Sequence, residues 1–221
     1  MGISDNVREI LGELPAGCEL TAAAKSRSPE EILKAVEAGV KIVGENYLQE
    51  AEAHFQEVGC KVSWHFIGHL QKNKVKKAVA LFDLIETVDS LEMVAEIDRR
   101  SGAAGKTMEI FIEVNSGREP QKFGVMPEEV EPLSVRISGF PNVKVVGLMT
   151  MGPLCDCPED LRPYFKETRI LWEGLKSSVP ANAEMRYLSM GMSDSYRIAV
   201  EEGANLVRIG TGIFGPRPKR T

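Results

Sequence analysis

The stretch Glu19-Leu-Thr-Ala-Ala-Ala-Lys25-Ser-Arg-Ser-Pro29 joins a short apolar run to the start of a helix. Its residues 20–24 include a single polar side chain and are bounded by polar, turn-forming residues, which is typical of a buried strand in a parallel sheet. Ser28 predicts an N-cap, with proline at the first helical position and a glutamate three residues on that completes a capping box. Lys25 is therefore expected at the carboxyl end of a strand, where parallel α/β proteins gather their ligands.

The same alternation of strand and helix continues along the whole chain. After an amphipathic N-terminal helix, we predict strands at residues 19–24, 40–44, 64–68, 84–88, 108–114, 143–149, 185–188 and 205–209. The intervening helices are predicted at 29–38, 47–58, 73–81, after a cap at Asp89, from about Pro127, at 158–176 and at 193–202 with Ser193 as its N-cap. Eight such units without a linker predict one domain over residues 1–221, a single (β/α)8 TIM barrel with an added N-terminal helix. A doubly wound open sheet is the alternative, since eight units can be arranged either way.

Composition narrows the class of protein. A chain of 221 residues that is 43% hydrophobic can bury a substantial core, and a formal charge of −5 argues against a nucleic-acid partner. No apolar run approaches the roughly 18 residues that span a membrane, and the N-terminus has the pattern of an amphipathic helix rather than a signal peptide. We therefore expect a cytoplasmic protein that does not associate with membranes.

The cysteines and histidines do not have the spacing of a metal site. Cys155 and Cys157 form the one close pair, and none of the three histidines lies near them in the sequence. We expect free thiols and no metal. The two histidines around the third strand have different expected roles: His65, between aromatic residues, is interpreted as a hydrogen-bonded structural residue rather than a base, and His69 as a cap or rim residue. The basic run from Lys72 to Lys77 is expected to be a solvated helix face.

Two glycine-containing stretches follow the seventh and eighth strands, Leu188-Ser-Met-Gly-Met-Ser-Asp194 and Arg208-Ile-Gly-Thr-Gly-Ile-Phe-Gly215. Barrels commonly build a phosphate site from these two loops. The first offers the hydroxyls of Ser189 and Ser193 and the amides of the following helix; the second offers the amides of Gly210 and Thr211 and a further hydroxyl. Ordinary turn formation by the glycines is the alternative interpretation.

Arg208 interrupts an otherwise apolar strand, Leu206 to Ile209. A charge inside a barrel strand is costly unless it is paired or directed at a ligand. A structural salt bridge is one interpretation. If the side chain instead faces the rim, it would hold a phosphate or donate to a ring nitrogen.

A lysine and a phosphate site at the same barrel mouth suit a phosphorylated aldehyde, which the amine of Lys25 can capture as a Schiff base. Pyridoxal 5′-phosphate (PLP) is the common cofactor of that description. The residues taken from both ends of the chain therefore predict PLP as the ligand.

Beyond these residues, several motifs in matching order resemble one protein family. They are the Lys25 strand, Gly44-Glu-Asn-Tyr47, His65-Phe-Ile-Gly-His-Leu-Gln71, Asn73-Lys74, Gly147-Leu-Met-Thr-Met151, Leu188 to Asp194, Arg208 to Thr211 and Ile213-Phe-Gly215. The chain resembles the pyridoxal phosphate homeostasis proteins, also called the YggS or PROSC family, over residues 19–215. That family is a fold-type III relative of the alanine racemase barrel.

The resemblance implies a role for each matching position. Lys25 would hold PLP as a Schiff base, and Arg208 would face the pyridine nitrogen. The other cofactor-binding residues implied are Asn46 and Met149 in the pocket wall, and Ser189 or Ser193 with Gly210 and Thr211 at the phosphate. The first strand departs mildly from the family pattern, with Ala23-Ala24-Lys25 where Val-Ser-Lys is frequent.

Three functions remain open at this point. The first is a PLP-binding protein of intracellular vitamin B6 homeostasis and amino-acid and keto-acid balance, without robust turnover and with apo-enzymes as recipients of PLP. The second is a PLP-dependent amino-acid racemase; such enzymes place a second base, a tyrosine, on an additional domain that we expect this chain to lack. The third is a barrel aldolase that uses no cofactor. Without the second domain, a monomer is expected.

Overall fold

The strands of the protein form a closed barrel of parallel strands arranged in sequence order. A computed structural model describes residues 2–177 and 183–217. The strands are β1 Glu19–Ala23, β2 Ile42–Glu45, β3 Ser63–Phe66, β4 Leu84–Val88, β5 Met108–Glu113, β6 Val143–Met149, β7 Ala183–Ser189 and β8 Leu206–Ile209. The predicted TIM barrel is confirmed and the doubly wound sheet is excluded, because β1 pairs with both β2 and β8.

Helices alternate with the strands in the described residues. They are α1 Ile3–Glu13, α2 Pro29–Glu37, α3 Leu48–Val58, α4 Val75–Leu81, α5 Leu91–Ala103, α6 Val130–Ile137, α7 Arg162–Ser177, α8 Tyr196–Glu201 and α9 Thr211–Phe214. Short 3-10 turns precede three of them, at Lys72–Lys74, Pro127–Glu129 and Pro158–Leu161. None of these helices is both long and apolar enough to cross a bilayer.

The barrel has two apolar layers because successive side chains on a strand point to opposite faces. Outward residues such as Leu20 and Ala22 pack against the helices in the main core. A smaller inner cluster fills the lower part of the barrel, and its members are Ile42, Leu84, Phe111, Val146, Met149 and Leu206. Polar and charged side chains are consequently left at the carboxyl ends of the strands, above this cluster.

The start of α2 has the predicted capping box. The Ser28 hydroxyl accepts the Glu31 amide at 3.3 Å, and the Glu31 carboxylate accepts the Ser28 amide at 2.9 Å. This reciprocal pair fixes the point where the chain leaves β1 and enters α2. The backbone on either side of Lys25 is therefore held by the strand and by the helix start.

Two predicted helix starts are wrong. Ser90, not Asp89, caps α5, since its hydroxyl accepts the Met93 amide at 3.3 Å. The helix after β7 begins at Tyr196, and the Ser193 hydroxyl instead accepts the amide of Gly212 from another loop, at 3.0 Å. In each place a serine one or two residues farther along the chain, Ser90 or Ser195, occupies the N-cap position instead.

Candidate functional site

A cavity of about 280 Å³ opens among the carboxyl ends of the strands. We call it the mouth cavity, and its lining residues are Ala23, Lys25, Asn46, Ile67, Met151, Met192, Ser193, Asp194, Arg208, Gly210, Thr211 and Arg217. Six of the predicted site residues meet here, although β1 and β8 lie at opposite ends of the sequence. They meet because barrel closure pairs Thr21 of β1 with Arg208 of β8.

Lys25 lies just beyond β1, half-buried, with its ammonium 5.0 Å from the centre of the Tyr47 ring. Among the described residues no carboxylate forms an ion pair with it. The backbone turns sharply after it, because Ser26 adopts a left-handed conformation with φ of 61°, and the Ser26 amide donates to Glu50 Oε2 at 2.9 Å. A single left-handed non-glycine residue is sustained by such fixed partners, so the position of Lys25 is set by the loop.

Arg208 lies at the floor of the mouth cavity and is almost completely buried. Its guanidinium donates to the Ser189 hydroxyl and, at 2.9 Å, to the Thr150 carbonyl. The Glu86 carboxylate is 3.8 Å away. Burial lowers the pKa of Arg208, and the carboxylates of Glu86 and Glu113 oppose that effect. An arginine remains a cation even so, which makes it a fixed positive donor at the bottom of the cavity.

The Glu86 carboxylate connects Arg208 to the rest of the barrel interior. It accepts the Ser189 hydroxyl at 2.8 Å through one oxygen and contacts His65 Nδ1 at 2.8 Å through the other. All four side chains are buried. His65 is thus a hydrogen-bonded residue of the interior, as the sequence predicts. Arg208 lies near the Glu86 carboxylate and also lines the mouth cavity, so both interpretations of this arginine apply.

Two predicted site residues lie below the cavity instead of in its wall. Ser189 is fully buried, and its hydroxyl is used by Glu86 and Arg208. Met149 is 1% exposed and belongs to the inner apolar cluster, while Met151, two residues farther on, reaches the cavity. The expectation that Met149 forms the wall is corrected accordingly, and of the two serines only Ser193 faces the cavity.

Ser193 joins the loops that follow β7 and β8. Its hydroxyl oxygen accepts the Gly212 amide, which leaves the hydroxyl proton available to an anion. The preceding turn needs Gly191, whose φ is +90° and where a Cβ would lie 2.7 Å from Ala199 Cβ. Gly210 and Thr211 complete this side of the cavity. The result is a wall of small residues and hydroxyls suited to close approach by a phosphate.

The charges of the mouth cavity favour an anionic ligand with a carbonyl group. Its ionisable lining comprises three cations, Lys25, Arg208 and Arg217, against one carboxylate, that of Asp194. One cation is the amine that carbonyl chemistry requires, and it lies in the same cavity as the hydroxyls of Ser193 and Thr211. The side chains present therefore fit a phosphorylated aldehyde such as PLP. No group of three or more metal-ligating side chains occurs in the described residues.

Sequence reasoning missed several lining residues. Ile67 follows by two-residue alternation from inward-facing His65, so the strand pattern contained a signal for it. Met151 lies two residues beyond inward-facing Met149, but the irregular pairing of β6 hides this alternation in the sequence. Met192 and Arg217 lie in loop and C-terminal segments without periodicity, and nothing in their local sequence marks them. They reach the cavity because the loops after β7 and β8 fold across the mouth.

Glu113 is a buried carboxyl at the end of β5, and its titration should destabilise the fold at high pH. Burial, assisted by Asp89 and opposed by Arg208, raises its pKa to about 7 from the ordinary 4.5. The folded chain therefore binds this proton more tightly, so the stabilisation is complete below about pH 4.5 and is lost as the pH rises through about 7. We expect Glu113→Gln to be more stable than the wild type by about 3 kcal/mol at about pH 8, with no gain near pH 4.5.

Urea denaturation of both proteins across this pH range measures the difference. Glu109→Gln is the matched control, because Glu109 lies on the same strand but is partly exposed and paired with Arg186. It should leave the pH profile unchanged. Equal pH profiles for wild type and Glu113→Gln would contradict the prediction.

The chain matches the model of the family described as alanine racemase, N-terminal domain, over residues 2–218. A pyridoxal phosphate homeostasis protein of Aquifex aeolicus is 38% identical over 98% of this chain and 99% of its own length. Another of that name, from Vibrio alginolyticus, is 35% identical over 93% of this chain and 89% of its own length.

Solved structures of other proteins share the fold of this chain. PipY of Synechococcus elongatus with PLP bound is 32% identical, with a TM-score of 0.89 over 96% of this chain and all of its own. An alanine racemase of Clostridium difficile, 15% identical, aligns with a TM-score of 0.83 over 99% of this chain and 60% of its own length. The racemase likeness is one of fold alone.

Proposed function

The chain belongs to the pyridoxal phosphate homeostasis protein family, built on the alanine racemase N-terminal barrel, and from that membership we propose that it binds PLP in the mouth cavity. Its function is then the homeostasis of intracellular PLP and of the amino and keto acids that depend on it. The observation that carries the proposal is the meeting of Lys25 with Ser193, Gly210 and Thr211 in one cavity. A phosphorylated aldehyde needs an amine that can react with its carbonyl group and donors that can bind its phosphate. Residues from opposite ends of the chain supply both in this cavity.

Each of the lining residues has a role in this proposal. Lys25 attaches the cofactor covalently, since its amine is half-buried and has no ion-pair partner among the described residues. The Ser193 hydroxyl and the backbone of Gly210 and Thr211 hold the phosphate. Asn46 contributes an amide from the end of β2. Ser189 and Met149 support the site from below.

Arg208 would limit how strongly the bound cofactor can withdraw electrons. PLP supplies an electron sink that depends on a protonated ring nitrogen. Arg208 is a buried cation fixed by Ser189 and Thr150, and it can donate hydrogen bonds but cannot accept one, so a ring nitrogen facing it stays unprotonated. The chain's own residues thus favour holding the cofactor over using it.

We infer that the protein has no robust turnover reaction and that it supplies PLP to apo-enzymes. Two-base racemisation needs a second acid or base opposite the lysine. Among the described residues that line the mouth cavity, Asp194 is the one such group besides Lys25, and no tyrosine, histidine, cysteine or second lysine lies there. An assay of free amino acids for loss of optical activity tests this point, and racemisation by the wild type that disappears in Lys25→Ala would favour the racemase.

Titration of the purified protein with PLP tests the main proposal. We expect a visible absorption band with one equivalent of bound cofactor, and borohydride reduction should shift the band and fix the cofactor to the peptide that contains Lys25. Mass spectrometry of the digested protein identifies that peptide. A protein that stays colourless, or that is labelled only at scattered surface lysines, would refute the proposal.

A further inference from the structure

A second cavity lies beside the mouth cavity and shares Lys25 and Asn46 with it. We call it the lateral cavity; it encloses about 340 Å³ between the segments that follow β2 and β3. Its lining residues are Lys25, Asn46, Tyr47, Leu48, Phe66, Gly68, His69, Gln71 and Lys74. A ligand held there would have one end against Lys25.

The polar lining of the lateral cavity includes four side chains that can donate hydrogen bonds to an anion. Lys25 and Lys74 contribute ammonium groups, and Asn46 and Gln71 contribute amides, while no aspartate or glutamate lies among its lining residues. The whole chain has 32 acidic and 27 basic residues, whereas this cavity has two lysines and no carboxylate among its lining residues. Such a lining attracts a small anion.

Lys74 differs from its neighbours in the basic run. Lys72 pairs with Glu92, and Lys77 pairs with Glu52 at 2.8 Å, on the protein surface. Lys74 is half-buried, faces the lateral cavity and forms no ion pair with a described residue. The run is therefore not a uniformly solvated face, and the ammonium group of Lys74 lines the cavity without a carboxylate partner among the described residues.

The walls of the lateral cavity are held rigidly. A Cβ at Gly68 would lie 2.4 Å from the Asn46 carbonyl oxygen, so the glycine lets the ends of β2 and β3 approach closely. The Thr87 hydroxyl donates to the Gly68 carbonyl at 2.5 Å. His69 stacks on Phe123 with ring centres 3.6 Å apart and planes 15° from parallel. The backbone segments that carry the donors are therefore fixed before a ligand binds, which lowers the ordering cost of binding.

We propose that the lateral cavity binds the carboxylate of a small 2-amino or 2-oxo acid and directs its amino or oxo end toward Lys25. This inference rests on the proposed function, because the partner at Lys25 is the PLP of the mouth cavity. Lys74 contacts the carboxylate, with Gln71 and His69 beside it, and Tyr47 and Leu48 receive the side chain. Point-charge and amide donors suit a carboxylate, whereas the backbone amides typical of a phosphate site lie on the Ser193 side.

Calorimetric titration of the PLP-loaded full chain with pyruvate tests the proposal. Pyruvate has no amine to react with the cofactor, and the visible band of each variant reports its PLP content, so binding is expressed per mole of loaded protein. We expect Lys74→Gln to weaken pyruvate binding by at least about fivefold, because a charged hydrogen-bond donor is lost at a half-buried site. Lys74→Arg should retain binding.

Lys76→Gln is the matched control, since Lys76 is an exposed residue of the same run. It should bind pyruvate as the wild type does. Absence of pyruvate binding to wild type that carries PLP would overturn this inference and leave the proposed function standing. Equal binding by Lys74→Gln, equal binding of the uncharged methyl ester, or displacement of pyruvate by an equal concentration of inorganic phosphate would also overturn it.

Discussion

Lys25→Ala is expected to lose the visible band of bound PLP completely and to incorporate no borohydride-reducible cofactor. The amine is the only group of the mouth cavity, among the described residues, that can form a covalent bond to an aldehyde. Its removal leaves the phosphate wall in place, so PLP binding should weaken by orders of magnitude without vanishing. Spectral titration measures the band, and equilibrium dialysis measures the residual binding.

Lys76→Ala is the control for this substitution, because it removes an exposed lysine and leaves the cavity intact. It should retain the band and the labelled peptide. Lys25→Ala should also melt near the wild-type temperature in the absence of PLP, since Lys25 is half-buried and forms no ion pair with a described residue. A variant that keeps the band would show that another lysine holds the cofactor.

The order of elements was predictable because it depends on local patterns. The capping box at Ser28 and the buried run before Lys25 specify a strand, a turn and a helix without tertiary information. Repetition of this unit then leaves few topologies, and closure by β1 and β8 is consistent with the burial of both strands on both faces. Helix starts were less predictable where two serines or an aspartate compete, as at Asp89 and Ser90.

The site was predictable where a residue's chemistry is unusual for its context. A lysine at a strand end and an arginine within an apolar strand stand out in the sequence, and both lie in the mouth cavity. Met149 was placed in the wall from the resemblance, but β6 has irregular pairing between Val145 and Gly147. Val146 and Met149 consequently both face inward although they are three residues apart, and simple alternation along β6 cannot place them.

Ser189 shows a different limit. In the sequence, Ser189 and Ser193 offer the same hydroxyl group within one glycine-containing stretch. Only their hydrogen-bond partners in the folded protein distinguish the two residues. The Ser189 hydroxyl donates to Glu86 of β4 and accepts from Arg208 of β8. The Ser193 hydroxyl instead accepts the Gly212 amide from the loop at the rim. Long-range hydrogen bonds of this kind have no signal in a single sequence.

Glu86→Ala is expected to destabilise the protein by about 3–5 kcal/mol, because it removes a buried carboxylate and leaves a buried cation without its partner. Glu86 is fully buried, and its two oxygens serve His65, Ser189 and, at 3.8 Å, Arg208. Without it, Arg208 keeps only neutral acceptors and the more distant charge of Glu113. The midpoint of urea denaturation should fall accordingly, measured on protein without PLP so that cofactor affinity does not contribute.

Glu52→Ala is the matched control for the loss of Glu86, since Glu52 pairs with Lys77 on the surface with 43% of its side chain exposed. Exposed ion pairs contribute at most about 1 kcal/mol, so this variant should denature close to the wild type. Glu86→Gln should fall between the two, because its amide can still accept from Ser189 but carries no charge. If Glu86→Ala cost no more than Glu52→Ala, Arg208 would have to be stabilised by its hydrogen bonds and the charge of Glu113. The charge of Glu86 would then not be what holds the guanidinium beneath the mouth cavity.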